Sequence, residues 1–412
     1  MENKNSPFLA LRIKNFRNYQ IGAFISEIGN QMQIVAVAWQ VYEITRNPAS
    51  LGLIGVAIFI PILLFSLIGG LVADKVNRKK LLILSLMAQT VLATILFGLT
   101  FYNLITPLWI YSILFFISTA QSFSLPVRQA VSPNLVPKEY LMNATSVGTL
   151  QHQTGILIGP AIAGFLIGGI GVVGVYFLNA FSFLFFILAI LSINVPFQKH
   201  NQEEVQFNFS AIADGMKFVI KTPILYTTMI LDFLATFFGT ATILMPVFAK
   251  DVLHVGAQGL GLLYSAPALG GILAGLFVTL MHHKIKHQGK VILGSIIFYG
   301  LATIGFGLSK TLMLSLFFLV LVGFGDMVST IIRNTIRQMV TPDHLRGRMA
   351  SILRIFFQGG PQLGEMEAGF LAKAIGAPYS VVIGGTAVVL IVSVLALKNK
   401  VLREYHGKDL VA

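Results

Sequence analysis

Long apolar runs separated by short polar interruptions set the pattern of this chain. The run from Leu51 to Ala73 holds 23 residues without a charge, and at about 1.5 Å rise per residue it covers the roughly 30 Å of bilayer hydrocarbon. Strands of a transmembrane barrel would show about ten residues of alternating polarity. These runs are apolar throughout, so the spans are helices, whose backbone groups are all bonded within the segment. The pattern predicts an all-α membrane protein with twelve transmembrane helices, at 18–42, 50–73, 81–102, 107–126, 144–167, 173–195, 224–248, 256–281, 290–308, 311–332, 350–372 and 378–397.

The longest polar interruption, "PFQKHNQEEVQFNFSAIADGMKFVIKTP" from Pro196 to Pro223, separates six spans from six. It predicts an N-terminal bundle over 1–195, a cytoplasmic linker with one surface helix over 196–223, and a C-terminal bundle over 224–412.

Composition agrees: 55% hydrophobic residues against 11% charged, with a mean hydropathy of +0.80, lie outside the range of soluble domains. The polar, basic start "MENKNSPFLALRIKNFRNYQ" does not read as a cleavable signal, so the first span is expected to stay in the protein. The absence of cysteine excludes disulfides, thiol nucleophiles and thiolate metal sites.

The net charge of +13 raises the question of nucleic acid, which the placement of the cations answers. Alternating the loops between the two sides puts 25 of the 29 lysines and arginines on one side, leaving Arg46, Lys250, Lys310 and Lys373 on the other. The rich side is expected to be cytoplasmic, with both termini inside, in a bacterial cytoplasmic membrane. The basic balance is then a topology signal, and no nucleic-acid partner is expected.

Laid over each other at an offset of 205 residues, the halves share ten identities across the 39 positions from 128 to 166. Arg128 falls on Arg333, Pro137 on Pro342, Ser146 on Ser351, Gln153 on Gln358, Gly155 on Gly360 and Gly159 on Gly364. "AGFL" at Ala163–Leu166 recurs at Ala368–Leu371, and farther back Glu27 falls on Asp232. The halves read as a tandem duplication of six spans, both copies starting on the same side.

Several motifs carry no chemistry in this context. "GIGVVG" at Gly169–Gly174 matches a dinucleotide pattern but sits in a short turn between two membrane helices, without the strand such a site needs. His282, His283 and His287 stand among Lys284, Lys286 and Lys290 and read as a solvated basic loop; no metal or cofactor is expected.

The acids inside spans are more telling. A charge at mid-membrane costs roughly 2.5–3.5 kcal/mol on insertion scales, so it faces a wet cavity or a partner. Glu27, Asp232, Asp326, Glu365 and Glu367 qualify, and Glu27 stands closest to further polar groups, Asn30 and Gln31. Asp326 is two turns from Arg333 on the same helix face, so a structural pair there competes with a functional one. A buried carboxylate that takes up a proton on one side and releases it on the other lets a gradient do work. A charge crossing the membrane is worth about 2.3 kcal/mol per 100 mV.

"GGLVADKVNRKK" resembles the signature of the major facilitator superfamily between spans 2 and 3, G-x-x-x-D-R-x-G-R-[RK], with Gly70, Asp74, Arg78 and Lys79 matching. Lys75 stands for arginine, and Asn77 for a glycine whose left-handed turn asparagine tolerates. "GILIGPAIAGFL", with Gly155, Gly159, Pro160 and Gly164, resembles the span-5 motif of drug:proton antiporters in that superfamily. Gly323–Ile352 is similar to the branch holding enterobactin exporters and macrolide-efflux proteins.

The resemblance implies alternating access by two six-helix bundles around a cavity lined chiefly by spans 1, 4, 7 and 10. It implies that Asp74 holds the cytoplasmic side closed against the start of span 11, where Arg346 and Arg348 lie, with Arg128 and Arg333 completing the charge network. Thr279 replaces the aspartate in the second half, so the gate is expected to be asymmetric. The expected function is a monomeric, proton-coupled exporter of small amphipathic molecules of the drug or siderophore class. A nutrient importer, a lipid flippase and a non-transporting receptor on the same fold are the alternatives. Nothing points to an enzyme.

Overall fold

A computed structural model of the chain describes residues 8–193, 216–240, 242–285, 287–342 and 346–406, apart from the side chains of Leu67, Asp74, Ser132 and 346–356. Most of the expected linker, 196–215, therefore lies outside the described residues.

The apolar runs form α1 (Lys14–Thr45), α2 (Pro48–Lys75), α3 (Arg78–Phe101), α4 (Pro107–Asn134) and α5 (Leu141–Leu191) in the first half of the chain. The second half holds α6 (Pro223–Gly239), α7 (Gly256–Met281), α8 (Gln288–Leu308), α9 (Leu312–Val340), α10 (Arg346–Ile375) and α11 (Ala377–Lys398). After α6, helical turns run through Thr242–Leu244 and Met245–Val247 into a π-turn at Phe248–Val252, which completes that span.

α5 has 51 residues, enough for two crossings, and Gly171 (φ 75, ψ 176) breaks it into limbs at 141–170 and 172–191. That backbone region is open essentially to glycine alone. The turn expected around Gly169–Gly174 is thus made by one residue, and the two limbs bring the spans to twelve.

Nine described segments are long and apolar enough to cross a membrane on composition alone, one of them, Lys138–Leu191, holding both limbs of α5. α1 and α10 are not among them. α1 carries Glu27 and Glu43 amid five glutamines and asparagines from Gln20 to Gln40, and α10 carries Glu365, Glu367 and Lys373. The spans least suited to lipid are those bearing candidate chemistry.

The chain divides into two compact units, Met1–Ile44 with Ile60–Phe207, and Thr45–Phe59 with Asn208–Ala412. The first is centred on buried Phe16, Leu82, Leu86, Val127, Phe183 and Phe186. The second is centred on Leu225, Leu231, Ile292, Ile296, Ile336 and Val388. Large apolar side chains such as Leu84, Met142 and Leu397 stay exposed, as a lipid-facing surface requires.

The duplication is visible in the packing. α3 lies against α4 and α5 in the first unit as α8 lies against α9 and α11 in the second. The glycines of the repeat mark the equivalent crossing of α5 on α1 and α10 on α6. A Cβ at Gly155 would fall 2.7 Å from Cγ of Glu27, and one at Gly360 would run into the Thr236 hydroxyl. A Cβ at Gly159 would lie 3.2 Å from the carbonyl of Ile28, and one at Gly364 2.9 Å from Cα of Phe237. Pro160 and Gly164 are buried along the same limb.

Candidate functional site: two charge clusters, one in each unit

In the first unit the polar face of α1 sets the site. Gln31, one turn after Glu27, donates from Nε2 to Glu27 Oε1 at 2.9 Å. From the first limb of α5, Nδ1 of His152 reaches the same oxygen at 3.2 Å. Gly155, three residues on, faces the Glu27 side chain with hydrogen alone, so the motif glycine makes room for the carboxylate. The Glu27 side chain is 19% exposed and that of His152 60%, so a largely covered carboxylate is bonded to an exposed imidazole.

Arg128 of α4 is close enough to act electrostatically on both Glu27 and Tyr19. Its guanidinium lies 5.0 Å from the ring centroid of Phe186, a cation–π distance, and its carbonyl accepts from the Tyr19 hydroxyl at 3.4 Å. Asn30 is half-buried beside these groups and outside the bonded set. The opposite face of α1 is pinned to the second limb of α5: Asn179 donates to Gln33 at 2.5 Å and Tyr176 to Gln40 at 2.8 Å. Glu27 therefore projects from a fixed helix.

In the second unit the repeat-equivalent acid, Asp232 on α6, is clamped. Nη2 of Arg333 donates to Oδ1 at 2.7 Å and Nη2 of Arg337 to Oδ2 at 3.3 Å, both from α9. All three side chains are buried, 7%, 2% and 3% exposed. Arg333 also donates to Thr330 at 2.9 Å, and Arg337 donates to Asn334 at 3.1 Å and stacks on Phe357 at 4.3 Å. Asp326, half-buried on α9, lies within electrostatic reach of Asp232 and Arg333.

The Asp232 carboxylate thus answers two buried guanidinia at once, one on each oxygen. Asp232, expected among the cavity acids, stands in a buried ion pair, and Arg333 pairs with it where the helix spacing alone suggested Asp326. The physical reason is tertiary: α6 brings the carboxylate to the arginine more directly than two turns of α9 do.

The remaining acids lie elsewhere. Glu365 is half-buried on α10 against the first turns of α2, where a Cβ at Gly55 would be 3.3 Å from its Oε2; Glu367 is half-buried two residues on.

At the turn between α2 and α3, Asn77 has φ −62 and caps α3, its Oδ1 accepting from the Lys80 amide at 3.2 Å. The left-handed turn expected there is absent, because the asparagine serves as an N-cap. Lys79 donates to the carbonyl of Ile193 at 2.8 Å, and Arg78 is half-buried in the first turn of α3. Gly70 meets open space, whereas a Cβ at Gly69 would run into the carbonyl of Ser122, so Gly69 makes the close approach to α4. The Thr279 hydroxyl turns back to the carbonyl of Gly275 at 2.8 Å. Asp74 is the penultimate residue of α2 and Arg346 opens α10, with Arg348 two residues on, but these three side chains lie outside the described residues. Arg128 and Arg333, expected with this turn, stand with the acids of the first span of their own units.

Sequence reasoning missed His152 and Arg337. His152 aligns with Phe357 in the repeat and Arg337 with Ser132, so neither stood out by recurrence. The signal available for His152 was its place one turn before Gly155 on the motif face. Among the described residues no three His, Cys, Asp or Glu side chains gather as a metal site.

A family model described as transmembrane secretion effector matches residues 5–412. The chain belongs to that family of major facilitator transporters. Among curated relatives, the multidrug efflux pump Tap of Mycolicibacterium fortuitum is 27% identical over 372 residues, covering 86% of this chain and 88% of the relative. The enterobactin exporter EntS of Escherichia coli O1:K1 / APEC is 27% identical over 415 residues, covering 98% and 97%. Two solved structures share the fold. The nucleoside transporter NupG has a TM-score of 0.76 at 12% identity, covering 94% of this chain and 99% of its own. A bacterial homologue of the iron transporter ferroportin in an inward-facing state has a TM-score of 0.70 at 17% identity, covering 94% and 98%. The chain is a multi-pass membrane transporter of the major facilitator type, and its curated relatives include efflux proteins.

Proposed function

We propose that the protein is a proton-coupled exporter of small amphipathic molecules of the drug or siderophore class, acting as a monomer in a bacterial cytoplasmic membrane with both termini inside. The efflux activity named for two relatives supports the direction. The observation that carries the coupling is the contrast between the two acids. Asp232 is held by two buried arginines, whereas Glu27 is held by an imidazole and an amide. With His152 neutral, Glu27 and Arg128 balance, and one added proton is tolerated on either carboxylate or imidazole. Asp232 answers two guanidinia, so a proton added there would leave two buried arginines without their counter-charge.

In this reading Glu27 takes a proton from the outer side and gives it up to the cytoplasm while substrate moves the other way. The membrane potential contributes about 2.3 kcal/mol per 100 mV for the charge moved. The bundles at 1–195 and 224–412 alternate access, the 196–223 linker joins them, and Asp74 with Arg346 and Arg348 forms the cytoplasmic latch.

Uptake of a substrate panel into inverted vesicles, with and without an uncoupler, tests it. Accumulation of organic cations or siderophore-like compounds that collapses with the uncoupler is the expected result. Accumulation indifferent to the uncoupler removes proton coupling, and accumulation only in right-side-out vesicles reverses the direction.

A further inference from the structure

We propose that His152 is the proton relay of the transporter: an imidazole that loads and unloads Glu27 from solvent. The inference rests on the proton-coupled reading above and adds the route by which the proton arrives.

The geometry is that of a relay. Nδ1 of His152 is 3.2 Å from Glu27 Oε1, while the imidazole as a whole is 60% exposed and the carboxylate 19%. One end of the ring touches the acid while the ring itself stays exposed, so in the relay the proton reaches Glu27 through the ring rather than directly. Gln31 donates to the same Oε1 at 2.9 Å and fixes the carboxylate. Gly155, facing Glu27 from the same limb as His152, prevents a side chain from wedging between them.

The transfer balances as a shuttle. Solvent protonates Nε2 of the ring that carries hydrogen on Nδ1; the imidazolium passes its Nδ1 proton to Glu27 Oε1; the ring is left neutral with hydrogen on Nε2. Rotation of the exposed ring, or exchange with water, restores the starting tautomer. Unloading is the reverse. No other reactant is needed. Imidazole is the side chain whose ordinary titration falls nearest neutral pH, which suits exchange at ordinary gradients.

The charged and titratable groups facing the pair are few. α1 contributes Tyr19 and Glu27 itself, and α4 contributes Arg128, whose guanidinium acts on Glu27 and Tyr19. His152 has no counterpart in the second unit, where Phe357 takes its place under Arg337; the relay belongs to the unit whose acid is not clamped.

The test compares His152→Gln, His152→Lys and Glu27→Gln in inverted vesicles, measuring gradient-driven uptake from pH 5.5 to 8.5 and substrate exchange at equal pH on both sides. The relay predicts that His152→Gln slows gradient-driven uptake roughly tenfold or more and flattens its pH profile, while exchange stays near the parent rate. Added imidazole should restore part of the rate to His152→Gln and none to His152→Lys. A parent-like pH profile in His152→Gln overturns the relay, and so does equal loss of uptake and exchange, which marks a structural role. If Glu27→Gln retains full gradient-driven uptake, it is the coupling reading that fails; if Glu27→Gln is uncoupled and His152→Gln is normal, only the relay fails.

Discussion

Glu27 and Asp232, 205 residues apart and equivalent in the two repeats, hold opposite kinds of partner. The glutamate is bonded to an imidazole and an amide, His152 and Gln31, and the aspartate to two buried guanidinia, Arg333 and Arg337. Duplication supplied two copies of an acid on the first span, and their neighbours separated the roles. In the proposed cycle the first acid changes charge, while the second ties α6 to α9.

Glu27→Gln tests the first role. The amide keeps the size of the side chain and most of the packing against Gly155, so thermal stability in detergent should change by about 1 kcal/mol or less. Uncoupler-sensitive uptake should be lost while substrate exchange persists. Full gradient-driven uptake by this variant would exclude Glu27 as the coupling site.

Asp232→Asn should behave in the reverse order. Removing the charge leaves two buried guanidinia facing each other across a neutral amide, a change worth about 3–5 kcal/mol in a buried ion pair. Thermal unfolding of the purified protein should show it as a large drop in midpoint. Pairing Asp232→Asn with Arg337→Gln should cost less than the two losses added, because each single change strands the other partner. A stable Asp232→Asn with selective loss of coupling would return Asp232 to the proton path.

At Gly155 the expected effect is on chemistry more than on folding. A methyl there falls 2.7 Å from Cγ of Glu27, a flexible side chain that can swing aside and in doing so leaves His152. Gly155→Ala should fold, insert and bind substrate yet couple poorly. Gly148→Ala on the same limb is the control, since its methyl would meet Nε2 of Gln20 at an ordinary 3.6 Å. Equal coupling in the two variants would show that the glycine serves packing alone.

Gly171→Ala probes the break in α5. The backbone there, φ 75 and ψ 176, meets no neighbouring atom that a Cβ would strike, so the cost is conformational, about 1–3 kcal/mol. Thermal unfolding should register the loss, with transport by the surviving folded fraction unchanged. No loss of stability would show that the elbow relaxes.

Twelve spans, the duplication and the elbow between the fifth and sixth spans were legible because lipid imposes one demand everywhere: apolar length, broken only where the backbone must turn. Glu27 was legible for the same reason, as a charge where charge is costly. Its partner was not. His152 sits on a span polar enough, with Gln151, Gln153 and Thr154 beside it, that a histidine raises no contradiction. Nor did helix spacing show that Arg333 reaches across to α6 and leaves Asp326 at longer range, since that depends on how two helices approach. The turn residue Asn77 was read through its motif as a left-handed bend, when local chemistry favours asparagine as strongly at an N-cap.

The Asp74 latch can be separated from local stability by the position of the residue itself. Asp74 is one residue from the C-terminal end of α2, where the helix dipole disfavours an anion by about 0.3–1 kcal/mol, and Lys75 offsets only part of that. If the aspartate served the helix alone, neutralising it would be harmless or slightly stabilising, with transport unchanged. A latch toward the start of α10 makes the opposite forecast for turnover. Asp74→Asn should leave insertion and thermal stability equal to the parent or slightly higher while slowing uptake into inverted vesicles severalfold. Asn77→Ala, which removes the cap of α3, should instead lower stability by about 1 kcal/mol with a smaller effect on the rate. Parent-like turnover in Asp74→Asn would remove the latch and leave the motif as a structural turn.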